Sequence, residues 1–423
     1  MSNDRRPTTY DPRNGTNGFH EETGLNDSLA VGRGTLDTGR STSAVPFMDL
    51  SREYEEIGAQ IEAVIRRVIQ NGRFVLGREL QKFELAFADY LGASHCIGVA
   101  SGTDALYLAL EAAGIGPGDE VITVSHTFIA TALAISRLGA TPVFVDIDPV
   151  TYTMNVEEAS RAVTKKTKAI LPVHLYGQCV DMDPLLALAR EHDLWVVEDA
   201  CQAVSSTYKG RKAGTMGDFG CFSFYPSKNL GCYGDGGAII TNNVESAEKL
   251  KWIRNYGQRE RYRHDFKGMN SRLDEIQAAI LNVKLPYLDL WTIKRRALAN
   301  RYAEALKNSP IQLPVENLYC EHVYHLYVIQ ALERDALQTH LSEKGIQTLI
   351  HYPVPVHLQP AFADLGYRPG SLPVTEDAAA KILSLPMYPQ LTEAEIKIVS
   401  ATLAEYACAP ASVKALERTA NES

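Results

Sequence analysis

The sequence has 423 residues, of which 45% are hydrophobic and 22% charged, and these proportions are typical of soluble globular proteins. Its length allows two or three domains or one large α/β unit. The chain carries 42 Lys and Arg against 51 Asp and Glu, a formal net charge of −9, and has no strongly basic stretch. This balance argues against a nucleic-acid-binding surface and favours a small-molecule substrate.

The cysteines and the hydrophobic runs indicate a cellular compartment. Seven cysteines are scattered along the chain without CxxC spacing, so neither a disulfide framework nor a zinc site is indicated. No apolar run approaches the roughly 18 to 20 residues that a bilayer span requires, and the N-terminus lacks a signal-peptide pattern. We therefore expect a cytoplasmic protein with no metal ion, no membrane contact and no nucleic-acid partner.

Residues 1–44 differ in composition from the rest of the chain. They hold six Gly, seven Thr and only scattered apolar residues, which predicts a disordered leader. Six acidic residues beside five Arg argue against a transit peptide, because such peptides are poor in acids. The folded core is expected to begin near Pro46.

The core is predicted to begin with two helices and to continue as alternating strands and helices. The first helix has an apolar face from Ile57 to Val68 and ends at Asn71-Gly72, and the second ends at Gly92. The next predicted strands cover residues 96–100, 121–124, 142–145, 169–174 and 194–197, and the helices between them cover 104–113, 130–138, 156–163 and 184–192. Apolar strands separated by helices indicate an α/β fold with a mostly parallel sheet.

The second half of the sequence is predicted to complete a large domain and to add a smaller one. Strands at 219–224 and 238–241 and helices at 244–255 and 273–288 complete a large α/β domain, for which we expect residues 45–290. The remaining chain restarts with a strand at 323–329, a helix at 334–344, a proline-rich loop and a final amphipathic helix. This pattern predicts a smaller α+β domain over residues 291–423.

A candidate anion site lies where the strand at 96–100 meets the next helix. Ser101 or Thr103 can cap this helix, and Gly102 lets the backbone approach a ligand closely. An ordinary helix cap is the alternative interpretation, since short motifs of this kind are common. The sequence has no GxGxxG motif after a strand and no GxxxxGK[ST] motif, so dinucleotide and P-loop sites are not indicated.

Two further candidates lie near predicted strand ends. Asp199 ends an apolar strand, where a buried carboxylate requires a cationic partner, although a turn-forming Asp has the same pattern. Lys228 lies among aromatic residues, which favour a neutral and nucleophilic amine, although a surface lysine packed along a tyrosine is an equal alternative. An anion site, a strand-end acid and such a lysine are together what pyridoxal phosphate requires for its phosphate, its ring nitrogen and its aldehyde.

The motifs SGTDALYLAL, HTFIATALAI, EDACQAV, FSFYPSKNLG, GMNSRLDEIQAAIL and LIHYPVPVH resemble the DegT/StrS family of sugar-nucleotide aminotransferases. The resemblance covers about residues 46 to 405. It implies a pyridoxal-phosphate enzyme of the aspartate-aminotransferase fold (fold type I), with pyridoxamine phosphate as the second cofactor form. It also implies a homodimer with active sites shared between the subunits.

The resemblance assigns roles to individual residues. Lys228 would form the Schiff base, Asp199 would contact the pyridine nitrogen, and Gln202 would lie near the ring hydroxyl. Phe128 would stack on the ring. The expected phosphate ligands are Gly102, Thr103, Ser223 and, reaching into the other subunit's site, Asn270.

The resemblance further implies transfer of an amino group, usually from glutamate, to a nucleotide-linked keto-deoxysugar. The segment 257–281 favours a 3-keto over a 4-keto sugar. Its basic residues, among them Arg259, Arg261 and Arg263, suit a diphosphate, although a solvated basic loop is an equal alternative. The remaining substrate-binding candidates are His351, Tyr352 and His357.

Two alternative functions stay open. The first is amination of a cyclitol ketone such as an inosose, which has no diphosphate to bind. The second is a non-catalytic sensor or regulator that keeps the fold.

Overall fold

A computed structural model describes residues 45–408 of the chain. Its strands are β1 His95–Val99, β2 Glu120–Val124, β3 Thr141–Val145, β4 Thr167–Leu171, β5 Trp195–Asp199, β6 Thr207–Tyr208, β7 Arg211–Lys212, β8 Phe219–Ser223, β9 Gly237–Thr241, β10 Gln258–Glu260, β11 Arg263–His264, β12 Cys320–Glu321, β13 Tyr327–Gln330 and β14 Ile382–Leu385. Its α-helices are α1 Leu50–Asn71, α2 Arg78–Leu91, α3 Gly102–Ala112, α4 Ala130–Ser136, α5 Val156–Arg161, α6 Met182–Glu191, α7 Val244–Ile253, α8 Glu275–Lys284, α9 Leu288–Leu306, α10 Arg334–Glu343, α11 Pro373–Lys381 and α12 Glu393–Cys408.

A seven-stranded sheet in the order β1-β9-β8-β5-β4-β2-β3 forms the centre of the fold. β9 runs antiparallel to both of its neighbours, and the pairs from β8 to β3 are parallel. The inner strands are buried along nearly their whole length, as expected for strands that helices cover on both faces. The predicted α/β fold with a mostly parallel sheet is confirmed.

Most element boundaries differ from the prediction by one to four residues, and the two largest differences lie at the end of α8 and the start of β13. The helix expected over residues 273–288 is α8, which ends at Lys284 and is followed by a 3₁₀ turn, Leu285–Tyr287. Pro286 lies in that turn and has no N–H to donate to the preceding helix. The strand expected over 323–329 begins only at Tyr327, because the chain before it bonds another loop: the N–H groups of Val323 and Leu326 donate to the carbonyl oxygens of Gly177 and Tyr176.

Two large hydrophobic clusters, of the four that the described residues form, contain most of the core. The larger one surrounds the central sheet, and the smaller one joins α9, α10, α12 and the β13–β14 pair. Val45 belongs to the smaller cluster, and its N–H donates to the carbonyl oxygen of Gly345 at 3.1 Å. The predicted division at residue 290 stays a prediction, and the predicted leader, residues 1–44, lies outside the described residues.

The parallel strands place several loops at one edge of the sheet. The chain segments that follow β2, β4, β5 and β8 leave the sheet at the carboxyl ends of these strands. In open α/β sheets, ligands bind at this edge. Among residues 45–408, no helix has both the length and the apolar character needed to cross a membrane.

Candidate active site

The N-terminus of α3 provides an anion-binding cradle against β8. The Ser101 hydroxyl caps the helix by accepting from the Asp104 N–H at 3.1 Å. The first N–H groups of a helix have no intrahelical acceptor, so those of Gly102 and Thr103 are free for a ligand. A Cβ on Gly102 would lie 2.6 Å from Ser223 Cβ, so only glycine allows this approach of the helix to β8. The structure thus brings together three of the expected phosphate ligands.

Asp199 lies at the carboxyl end of β5 and is 5% exposed. Its Oδ2 accepts from the Thr131 hydroxyl at 2.9 Å, and its Oδ1 accepts from the Cys201 N–H at 3.2 Å. These bonds fix the orientation of the carboxylate. The described residues form no salt bridge with Asp199, so the carboxylate remains available to a cationic group of a ligand.

Lys228 lies close to the same carboxylate. Burial lowers the pKa of its amine, and nearby Cys201 and Asp199 oppose this shift. Burial also lowers the pKa of His351 to about 4, and the charge of Lys228 adds to that effect, as it does at His325. Electrostatic interactions therefore link Lys228 with a carboxylate and with two histidines that are neutral at pH 7. This environment favours a neutral, nucleophilic amine.

The loop that carries Lys228 is held from both sides. Asn229 Nδ2 donates to the Val323 carbonyl oxygen at 3.1 Å, and the buried ammonium of Lys284 donates to the Gly231 carbonyl oxygen at 2.7 Å. Fixed loop ends restrict the positions that the Lys228 side chain can reach.

Gln202 connects the sheet edge to the loop at residues 351–352. Its Oε1 accepts from the Tyr176 N–H at 2.8 Å, and its Nε2 donates to the Tyr352 hydroxyl at 3.2 Å. The Tyr352 ring lies 5.6 Å from the ring of Phe128, which is 53% exposed and can offer a ring face to a ligand. The structure therefore brings Gln202, Tyr352 and Phe128 together.

The two candidate histidines occupy different environments. His351 Nδ1 bonds the Ser384 hydroxyl at 2.9 Å. His357 is 1% exposed, and its ring nitrogens lie 2.7 Å from Ser125 Oγ and 3.1 Å from Glu376 Oε1. Both ring nitrogens of His357 thus have partners within the chain, and its role in substrate binding stays a prediction.

The basic segment leads into Asn270, and the next residue, Ser271, lies beside the anion cradle, where its hydroxyl accepts from the Ala100 N–H and donates to the Asp104 carboxylate. Arg259 packs on Trp252 and Arg261 on Tyr262, each with the guanidinium carbon 5.1 Å from the ring centroid. Four candidate side chains here are exposed, namely Arg259, Arg261, Arg263 and Asn270. Among the described residues, no hydrogen bond or ring contact joins Arg259, Arg261 or Asn270 to Lys228, Asp199 or Gln202.

Three residues at this site were not predicted from the sequence: Thr131, Tyr176 and His325. Tyr176 follows β4 closely, so the rule that ligands bind at the carboxyl ends of strands could have identified it. Thr131 and His325 reach the site only through the packing of α4 and of the chain before β13. The described residues contain no group of three or more His, Cys, Asp or Glu placed to hold a metal ion.

The residues present fit pyridoxal phosphate. The Gly102 cradle, which a Cβ would fill, suits a phosphate. The buried carboxylate of Asp199, which forms no salt bridge with the described residues, suits a protonated ring nitrogen, and Lys228 provides the amine for the aldehyde.

Comparisons with known proteins agree with this geometry. The model of the DegT/DnrJ/EryC1/StrS aminotransferase family matches residues 55–404. The chain is 50% identical over 365 residues to the pleiotropic regulatory protein of Geobacillus stearothermophilus, covering 86% of this chain and 98% of that protein. It is 49% identical over 373 residues to the dTDP-3-amino-3,4,6-trideoxy-alpha-D-glucose transaminase of Streptomyces venezuelae, covering 88% and 98%. It is 44% identical over 361 residues to the UDP-N-acetyl-3-dehydro-alpha-D-glucosamine 3-aminotransferase of Acidithiobacillus ferrooxidans, covering 85% and 97%.

Solved structures show the same fold. The crystal structure of S. venezuelae DesV in complex with a ketimine intermediate superposes with a TM-score of 0.86 at 49% identity and covers 87% of this chain and 100% of that one. The structure of NtdA from Bacillus subtilis with bound pyridoxamine phosphate gives a TM-score of 0.80 at 36% identity, covering 86% and 85%. The predicted fold type and cofactor are therefore confirmed. The chain belongs to the DegT/DnrJ/EryC1/StrS aminotransferase family and is a pyridoxal-phosphate-dependent aminotransferase.

Proposed function

We propose that this enzyme transfers an amino group, with glutamate as the donor, to the keto group of a nucleotide-linked deoxysugar. The observation that carries the proposal is the amine of Lys228, whose pKa burial lowers, close to the buried carboxylate of Asp199. The names of the dTDP-sugar and UDP-sugar relatives support the substrate class. Both names specify carbon 3, which supports a 3-keto over a 4-keto sugar.

The residues of the chain divide the chemical work. When bound, pyridoxal phosphate supplies an electron sink that weakens bonds at the α-carbon of an amino acid. Asp199 offers a negative charge that favours a protonated ring nitrogen. Lys228 Nζ takes the proton from the α-carbon of the donor and returns it at the cofactor carbon. A positioned base of this kind contributes roughly 10²- to 10⁴-fold to the rate.

Other residues bind and orient the cofactor and the substrate. The N–H groups of Gly102 and Thr103, with the Ser223 hydroxyl, would hold the phosphate. The exposed ring of Phe128 would offer a face to the pyridine ring. Gln202 would donate to the ring hydroxyl, and His351 and Tyr352 would contact the substrate.

The diphosphate of the substrate would bind to the basic segment. Among the described residues, Arg261 has the Tyr262 ring and hydroxyl as partners, whereas Arg259 and Arg263 lie 3.9 Å and 3.1 Å from carboxylate oxygens of Asp265. An exposed guanidinium without a carboxylate partner can form bidentate bonds to phosphate. Among the described residues, Arg261 and Asn270 form no hydrogen bond or ring contact with Lys228, Asp199 or Gln202, which supports a homodimer in which they serve the other subunit's site.

A regulatory function is the second candidate. It is favoured by the name of the Geobacillus relative. The buried carboxylate of Asp199, hydrogen-bonded to Thr131 and Cys201 and close to the Lys228 amine, favours an enzyme instead. A cyclitol ketone substrate also stays open, because it would use the same amine and carboxylate without the basic segment. The cytoplasmic location and the absence of metal, membrane and nucleic-acid partners stay predictions from composition.

A single-turnover assay tests the proposal. The purified enzyme is converted to its aminated form with glutamate, separated from it, and mixed with dTDP- or UDP-linked 3-keto and 4-keto sugars or with an inosose. We expect amination of a nucleotide-linked 3-keto sugar, detected by mass spectrometry. Arg261→Gln should raise KM for that sugar at least about tenfold, as expected for loss of a charged hydrogen bond, and Arg190→Gln, an exposed arginine of α6, should not.

Two results would contradict the proposal. Equal KM values of Arg261→Gln and the wild type for the nucleotide-linked sugar would favour an inosose as the substrate. A protein that binds the cofactor but is not converted by glutamate or other amino acids would favour the regulator.

A further inference from the structure

Tyr176 closes a ring of hydrogen bonds around Gln202. Its N–H donates to Gln202 Oε1 at 2.8 Å, and Gln202 Nε2 donates to the Tyr352 hydroxyl at 3.2 Å. The carbonyl oxygen of the preceding residue, His351, accepts a hydrogen bond from the Tyr176 hydroxyl. The ring therefore begins and ends at Tyr176 and holds both ends of the Gln202 amide.

His126 fixes the direction of these bonds. A carbonyl oxygen can only accept, so the single proton of the Tyr176 hydroxyl goes to His351. His126 Nε2, 2.8 Å from that hydroxyl oxygen, must then be the donor. Burial lowers the pKa of His126 to about 4, against an opposing effect of Asp146, so its ring is neutral at pH 7. Burial raises the pKa of Tyr176 well above its usual range, so its hydroxyl stays protonated.

The backbone of Tyr176 also departs from ordinary conformations. Its φ is 59°, in the left-handed region that bulky residues rarely adopt, and its side chain is only 3% exposed. Such a conformation persists only where the surrounding structure determines it, and it is found most often at functional sites. The N–H that binds Gln202 belongs to this residue, so the unusual φ directs the N–H toward the amide.

We infer that Tyr176 is a positioning residue that keeps the NH₂ group of Gln202 turned toward Tyr352 and the ring hydroxyl of the cofactor. The inference rests on the proposed function, because it takes Gln202 to donate to that hydroxyl. The oxygen and nitrogen ends of an amide have similar size, so neighbours alone decide which end faces a ligand. If the ring of bonds opens, the Gln202 amide can turn and present its oxygen, which cannot donate.

The test compares two tyrosines of the same cluster. Tyr176→Phe keeps the aromatic ring and the N–H that binds Gln202, and it removes the hydroxyl that holds the His351–Tyr352 loop, so the Nε2 end of the Gln202 amide is no longer fixed. Tyr152→Phe is the matched control: Tyr152 is 4% exposed, its ring centroid lies 5.8 Å from that of Tyr176, and among the described residues its hydroxyl accepts from Gln330. The charged and titratable groups around Lys228 and Gln202 are the same in both variants, namely Asp199, Cys201, His325, His351 and Tyr352.

The visible absorbance of enzyme-bound pyridoxal phosphate, titrated with pH, reports the bond from Gln202. A donor to the ring oxygen favours its anionic form, so weakening the bond raises the midpoint of the titration. We expect a rise of about half a pH unit or more in Tyr176→Phe and essentially no change in Tyr152→Phe. Gln202→Ala should show a similar rise, and adding Tyr176→Phe to it should cause no further shift, because Tyr176→Phe acts on the titration only through the bond that Gln202→Ala removes.

An unchanged midpoint in Tyr176→Phe, or shifts that add in the double variant, would overturn the inference while the proposed function stands. A wild-type protein that carries no cofactor on Lys228 would contradict both this inference and the proposed function. If Tyr176→Phe does not fold, His126→Leu replaces it. This substitution deletes the hydrogen bond from His126 to the Tyr176 hydroxyl and leaves Tyr176 in place. The same rise is expected for His126→Leu, and its absence would also overturn the inference.

Discussion

The close approach of α3 to β8 gives a quantitative prediction for Gly102→Ala. The added Cβ would lie 2.6 Å from Ser223 Cβ and 2.9 Å from Cys201 Sγ, whereas few real Cβ contacts are closer than 3.4 Å. To restore an ordinary contact, the N-terminus of α3 must move by the difference between 2.6 and 3.4 Å, about 0.8 Å. A hydrogen bond of about 2.9 Å to the phosphate would then lengthen to about 3.7 Å, beyond the usual limit.

Loss of one hydrogen bond to a charged group costs about 1.5 to 3 kcal/mol, and each 1.4 kcal/mol is tenfold in affinity. We therefore expect the Kd of the apoenzyme for pyridoxal phosphate to rise by about 10- to 150-fold. Absorbance titration of the apoenzyme measures this Kd. Gly116→Ala is the control, because an added Cβ there meets nothing within 4 Å. Equal cofactor affinities for Gly102→Ala, Gly116→Ala and the wild type would refute the phosphate site at α3.

Three further predictions concern Asp199, His126 and His357. Asp199→Asn keeps the shape of the side chain but removes its negative charge. Proton removal from the donor should therefore slow by about 10²-fold or more in stopped-flow assays. The control is Thr131→Val, and an equally small slowing in both variants would count against the role of the charge. The pKa of His126 falls from 6.5 to about 4 on folding, so the stability that this shift reflects is complete above pH 6.5 and is lost as the pH falls toward 4, by up to about 3 kcal/mol. Unfolding free energies measured against pH should show a shallower loss in His126→Gln than in the wild type, whereas equal slopes would contradict the burial of a neutral ring; His192→Gln, at an exposed site, is the control. His357→Asn should lower the unfolding free energy by about 1 to 3 kcal/mol, because Ser125 and Glu376 lose a buried partner. A selective rise in KM for the keto sugar with unchanged stability would show that His357 binds substrate instead.

The sequence was sufficient to predict the architecture and the residues at strand ends. Buried strands are continuous apolar runs, and Asp199 follows such a run directly, so its place at the sheet edge could be inferred. Gly102 could be assigned because helix N-termini bind anions. Lys228 was identified from its aromatic neighbours together with the two other elements, since none of the three was specific alone.

The contacts between distant segments could not be predicted. Thr131 reaches Asp199 because α4 packs against the sheet, and His325 approaches Lys228 from a segment almost 100 residues away. The left-handed φ of Tyr176 depends on the loop around it and leaves no mark in local composition. The antiparallel direction of β9 also depends on pairing with β1 and β8, which a single sequence does not specify.

The bond between Lys228 and the cofactor is the most direct test of the proposed chemistry. The purified protein is treated with borohydride, which fixes pyridoxal phosphate to the lysine that carries it, and is then digested and mapped by mass spectrometry. We predict a single modified peptide with the label on Lys228, and loss of the label when the enzyme is first converted with glutamate. A label on another lysine, or unlabelled protein that still binds pyridoxal phosphate, would contradict the assignment of Lys228.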